Sequence, residues 1–213
     1  MRGVYNWMGI GLALTGMVAM LIASDEQTVR LITGNKILFY GLLIGELLMV
    51  LGLVGLVGRM SALAATALFV AYSALNGVTL SVIFYAYTAE SLAATFFITA
   101  GTFGAMSAFG YLTKRDLSGM GQFLMMGLFG IIIASIVNIF VASTTLMWVT
   151  TYVGVLVFTG LTAYDTQKIK RLGMHTTEGT ENTKKATIIG ALSLYLDFIN
   201  LFLMMLRIFG GRR

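Results

Sequence analysis

Three acidic residues, Asp197, Asp165 and Glu46, stand inside or at the edge of long apolar stretches. An ionisable group there costs at least about 2.5–3.5 kcal/mol at bilayer depth and therefore needs a partner or a task. Asp197 occurs in Leu194-Tyr195-Leu196-Asp197-Phe198-Ile199-Asn200, and Asn200, three residues on, shares its helical face. Asp165 closes Gly160-Leu161-Thr162-Ala163-Tyr164-Asp165-Thr166-Gln167-Lys168. Two carboxylates brought together away from water cannot both ionise cheaply, so they share a proton and titrate as one unit. Such a pair is a pH sensor. Ionised, it also offers hard oxygen ligands to Ca²⁺, although two carboxylates make only a weak site. The plainer readings are a hydrogen-bonded tie between helices for Asp197 and a solvated helix-end acid for Asp165, beside Lys168, Lys170 and Arg171. For Asp197 the functional reading is preferred, because an Asn would tie helices at lower cost. For Asp165 the residues alone leave both readings open.

Glu46 lies in Leu43-Ile44-Gly45-Glu46-Leu47-Leu48, with Arg59 at the end of the same apolar run. Thirteen residues at 100° each set the two about 220° apart on an ideal helix, so Arg59 must find another partner. Asp165, expected at the same membrane face, is a plausible one.

The elements that must position these groups are set by composition. At 58% hydrophobic and 11% charged, with a mean hydropathy of +0.88, the 213 residues are far from a soluble domain, which carries about 25% charged residues. Helices of roughly 20 apolar residues are needed to cross a bilayer. Seven such runs are found, at 5–23, 37–57, 62–87, 92–112, 123–141, 146–164 and 186–206, which predicts one all-α domain of seven transmembrane helices over 1–213. The first run is too long for a signal-peptide core and lacks a small-x-small cleavage site. Connections are short except for the polar stretch 165–185.

Asp197 stands eleven residues past Ala186, about 16 Å into its helix and near the bilayer centre. With the N-terminus inside, cytoplasmic segments hold Arg2, Arg59, Lys114, Arg115, Lys168, Lys170, Arg171, Lys184 and Lys185. The other side holds Arg30, Lys36, Arg207, Arg212 and Arg213 with Asp25, Glu26 and Glu90. The positive-inside rule thus predicts a cytoplasmic N-terminus and an outer C-terminus. The same loops account for the net charge of +5 without a nucleic-acid partner. The absence of Cys excludes disulfides, thiolate metal sites and a Cys nucleophile; the single histidine, His175, cannot build a multi-His centre and reads as a solvated loop residue. The glycines of Gly41-x-x-x-Gly45, Gly52-x-x-Gly55 and Gly101-x-x-Gly104 are expected to let helices approach closely.

Four stretches together resemble the transmembrane Bax inhibitor motif family, and within it the bacterial inner-membrane members. They are Tyr72-Ser73-Ala74-Leu75-Asn76-Gly77-Val78-Thr79-Leu80-Ser81, Gly110-Tyr111-Leu112-Thr113-Lys114-Arg115-Asp116-Leu117-Ser118, Ala163-Tyr164-Asp165-Thr166-Gln167, and Leu194-Tyr195-Leu196-Asp197-Phe198-Ile199-Asn200-Leu201-Phe202. The resemblance implies a seventh helix surrounded by the other six. It also implies a calcium leak controlled by an aspartate pair, which falls on Asp165 and Asp197. By the same resemblance Arg59 is the latch on the sixth-helix aspartate and Glu46 a pore glutamate. Asn200, Tyr164 and Tyr195 are taken as supporting residues.

The resulting expectation is a proton-sensitive cation leak channel in which protons and calcium compete for the same oxygens, with no cofactor. The alternative is a membrane interaction protein that regulates a membrane protease or other membrane partners without transport. Two further classes fail on the residues. An intramembrane aspartyl protease of the presenilin type carries Gly-x-Gly-Asp and Pro-Ala-Leu elements, whereas this chain has Leu194-Tyr195-Leu196-Asp197 and no proline. A retinal protein needs a Schiff-base Lys in its last span, and none follows Lys185. An enzyme is not expected.

Overall fold

The computed structural model describes residues 1–174 and 179–211. His175 and the pair Arg212 and Arg213 lie outside the described residues. Among the described residues eight helices follow one another: α1 (Arg2–Ala23), α2 (Glu26–Gly34), α3 (Lys36–Leu56), α4 (Ala62–Ala86), α5 (Ala89–Leu112), α6 (Ser118–Val141), α7 (Thr144–Met174) and α8 (Glu181–Phe209). All but α2 are long and apolar enough to cross a membrane. The chain is an all-α membrane protein with seven spans.

Two compact units are present. One is Met1–Ala89 with α8 up to Tyr195; the other is Glu90–Met174 with Leu196–Gly211, the rest of α8 and the two residues after it. In the first, α1 buries a seam of Val4, Met8, Gly11, Thr15 and Ala19, spaced three or four apart as a helix face requires. It packs on α4, where Gly77 leaves room for the Thr15 carbonyl and Val18; a Cβ there would meet the Thr15 oxygen at 2.7 Å. Phe69 and Tyr72 of α4 hold the Tyr195 ring edge-on, with centroids 5.9 and 5.7 Å away. The Glu181 side chain, in the first turn of α8, accepts the Ala62 N–H at 2.5 Å, satisfying one of the open donors at the start of α4.

The second unit is built on Leu124 and Ile131 of α6, Val157, Phe158 and Leu161 of α7, and Leu201 and Met205 of α8. Helix α5 runs antiparallel to the second half of α8. The Gly211 N–H bonds Ser91 Oγ at 2.8 Å, and Phe198 lies 5.5 Å from both Phe96 and Phe103.

Several sequence expectations are modified. The connection after the first span contains α2, nucleated by Asp25, whose carboxylate accepts Gln27 N–H at 3.1 Å and Thr28 Oγ1 at 2.5 Å. Those bonds hold the Asp25 carboxyl below the usual carboxylate range, Thr28 contributing most. Glu26 is likewise lowered, by Arg30 first and then by Tyr85. At nine residues α2 is too short to span, and it buries only Val29 and Ile32. Helix α7 runs to Met174 rather than ending at Tyr164, and α8 begins at Glu181 rather than Ala186, because polar residues extend a helix once it leaves the apolar layer.

The glycine expectation needs correcting too. Among the described residues a Cβ at Gly41, Gly52, Gly55, Gly101 or Gly104 would meet nothing within 4 Å. The close approaches use other glycines.

Candidate functional site

Asp197 is 5% exposed, and its Oδ2 has no hydrogen-bond partner among the described residues. Asp165 belongs to the same unit as Asp197. Asp165 is half-buried, with Lys168 one turn further along α7 supplying the opposing charge. The continuation of α7 past Tyr164 therefore places Asp165 inside a helix, nine residues before its end at Met174. What makes the arrangement chemically useful is a buried carboxyl with one oxygen unpaired among the described residues, in the same unit as a second acid. A buried acceptor without a donor is costly, so it is a place where a proton, water or cation gains most by binding.

A framework of hydrogen bonds steadies this part of α7. Thr166, next to Asp165, meets Ser107 of α5 at 3.0 Å. Gln167, 6% exposed, accepts the Leu117 N–H at 2.9 Å and donates to the Arg115 carbonyl at 2.8 Å, clamping the loop between α5 and α6. Lys170 donates to the Tyr111 carbonyl at 2.7 Å while its ammonium lies 4.7 Å from the Tyr111 ring centroid. Arg171 pairs with Asp116 at 2.8 Å. Asp116 also accepts from the Ser118 hydroxyl and N–H, and these bonds, ahead of Arg171, pull its carboxyl down to about 2. The motif 110–118 and the motif 163–167 are thus one structural device. Gly110 is required within it, since any Cβ would strike the backbone of Ala163.

The supporting residues divide. Asn200 donates its amide to the Leu196 carbonyl of its own helix at 2.8 Å. Tyr164 lays its ring over Gly121 of α6, where a side chain would collide with it, and so packs rather than reacts. Tyr195 is two residues from Asp197, about 200° around α8, and its hydroxyl meets Thr15 Oγ1 at 2.7 Å in the first unit. Thr15 also donates to backbone, at 2.7 Å to Ser73 and 2.9 Å to Gly11, so Tyr195 is the donor in that pair.

Glu46 and Arg59 belong to the first unit. Glu46 is half-buried in a second polar cluster, accepting from Thr79 Oγ1 at 2.5 Å and from Asn76 Nδ2 at 3.4 Å, while Asn76 Oδ1 is buried without a partner. Helix α3 ends at Leu56, and Arg59 stands in the following turn, its N–H bonding the Leu56 carbonyl at 2.9 Å. The helical-wheel angle between Glu46 and Arg59 consequently does not apply. No group of three or more His, Cys, Asp or Glu suited to a metal is found among the described residues.

Residues 1–213 match the family model described as "Inhibitor of apoptosis-promoting Bax1". The chain belongs to the Bax inhibitor family. It is 54% identical over 214 residues to the inner membrane protein YbhL of Escherichia coli strain K12, with 100% of this chain and 92% of that protein covered. A Borreliella burgdorferi relative named only as an uncharacterized protein is 44% identical over 99% of this chain and 90% of its own. An uncharacterized membrane protein of Streptococcus pyogenes serotype M6 is 40% identical over 97% of this chain and 90% of its own. The likeness of this member of the Bax inhibitor family runs along the whole chain. Of the residues that sequence reasoning passed over, Gln167 stood in plain view, a polar side chain two positions from Asp165. Ser107 and Thr99 carried no signal beyond being hydroxyls in an apolar run.

Proposed function

We propose that this protein is a pH-sensitive cation leak channel of the bacterial inner membrane, calcium among its permeant ions, governed by Asp165 and Asp197. The observation that carries the reading is a buried carboxylate oxygen with no donor among the described residues, in the same compact unit as a second acid, Asp165, inside a membrane protein. Protonation would neutralise the pair, and a cation would compete for the same oxygens. The counter-ion role for Asp165 is proposed for Arg59, and a second polar station on the ion path for Glu46. The inner-membrane assignment draws on the name of YbhL. The basic residues favour a cytoplasmic N-terminus and an outer C-terminus. The implied central position of α8 is in keeping with its being the most buried span, at 67% against 6% for α3 and for α6.

Purified protein in liposomes tests this directly. A calcium leak that varies with pH is expected, and Asp197→Asn and Arg59→Ala should each alter the pH dependence. Unchanged pH dependence in both variants would sink the proposal.

A second reading, a membrane interaction protein acting on a protease or other partner, is favoured by one feature. A Cβ at Gly41, Gly52 or Gly55 of α3 would meet nothing within 4 Å among the described residues, as on surfaces that receive another helix. Wild-type protein that passes no ions in liposomes at any pH would select it.

A further inference from the structure

Two polar side-chain atoms in the second unit are buried without a partner among the described residues: Asp197 Oδ2 and Thr99 Oγ1. Thr99 is 0% exposed. Phe96, Thr99 and Phe103 lie at i, i+3 and i+7 of α5 and so share one face within about 60°. Phe198 packs against both phenylalanines, 5.5 Å from each centroid, so Asp197, the residue before it, belongs to the turn of α8 that meets this stretch of α5. The same stripe of α5 continues into Ser107 and Gly110, which meet Thr166 and the Ala163 backbone on either side of Asp165. Thr99 therefore lies on the face of α5 turned toward the wedge of α7 and α8 that holds both acids. Two unpaired oxygens on neighbouring helices, not bonded to each other, are a setting in which a buried water can bond to both.

We propose that a single water molecule links the Asp197 carboxyl to the Thr99 hydroxyl, making Thr99 a positioning residue of the deep acid site. The water fixes the orientation of Oδ2, and the hydroxyl offers its second contact on the α5 side. As a binding site this stands on the two orphaned atoms; its effect on leak rests on the channel reading.

Infrared difference spectroscopy on the full chain in vesicles tests it, with the Asp197 band, carboxyl or carboxylate, assigned by its loss in Asp197→Asn. In Thr99→Val, which keeps the side-chain shape, the Asp197 band should shift, and a water O–H band that moves in heavy-oxygen water should disappear. Thr99→Ser should restore both. An Asp197 band unchanged in Thr99→Val, or a shift with no heavy-oxygen-sensitive band to lose, overturns the proposal. In the same vesicles proton-dependent leak should fall about tenfold in Thr99→Val, the worth of one hydrogen bond, and recover in Thr99→Ser. Spectral changes as expected in protein that passes no ions would leave the water link standing and remove the channel reading.

Discussion

Replacing Gln167 by Leu removes two hydrogen bonds of unequal worth. The side chain accepts from Leu117 N–H at 2.9 Å and donates to the Arg115 carbonyl at 2.8 Å. Leu117 is 7% exposed, so its N–H would be stranded in the interior, at a cost of about 1–3 kcal/mol. Arg115 is exposed, and its carbonyl can turn to solvent, so that loss is about 0.5–1 kcal/mol. The sum, about 1.5–4 kcal/mol, corresponds to a fall in Tm of roughly 3–16 °C for a chain of this length, at about 2–4 °C per kcal/mol. Gln167→Glu, compared at a pH low enough to keep the new buried carboxyl neutral, retains the acceptor for Leu117 whatever becomes of the Arg115 contact, so it should fall by no more than about 4 °C. Thermal unfolding of both variants in one detergent, followed by near-UV circular dichroism, provides the comparison. Equal shifts in the two variants would refute the reasoning, since burial would then not decide which bond matters. So would a Gln167→Leu protein as stable as wild type.

Three further outcomes follow from the same contacts. Asp116, held at about 2 by Ser118 and Arg171, stabilises the fold above the unfolded carboxylate value of about 3.9 and loses that contribution as pH falls toward 2. The stability gap between wild type and Asp116→Asn, measured by thermal unfolding against pH, should be constant from neutral pH down to about 4 and close below it. Tyr195→Phe removes the donor to Thr15 and should cost about 1 kcal/mol in denaturation while leaving the pH dependence of leak untouched, because the phenol lies about 200° from Asp197 on α8. Glu46→Gln should unfold within about 0.5 kcal/mol of wild type, its new N–H₂ able to donate to the orphaned Asn76 Oδ1, whereas Glu46→Leu strands Thr79 and Asn76 and should cost about 2 kcal/mol more.

The seven spans and the membrane class were legible in the amino-acid order because insertion depends on the summed transfer free energy of about 20 consecutive residues, a local quantity. Asp197, Asp165 and Glu46 stood out for the same reason: each is an expensive residue in an apolar window. Gln167 stands out locally as a polar residue beside Asp165, but nothing local shows its partner Leu117, 50 residues away, or the Thr15 partner of Tyr195, 180 away. Nor did any window show that Gly110 and Gly121 receive Ala163 and Tyr164 while Gly101 and Gly104 face nothing. Helix α2 was missed because its cap residue and two buried side chains carry too little hydrophobicity for a span. Which polar groups find partners, and which, like Asp197 Oδ2 and Thr99 Oγ1, are left without one, is decided by how helices distant in the chain pack together. Packing alone sets those distances, and composition is silent about them.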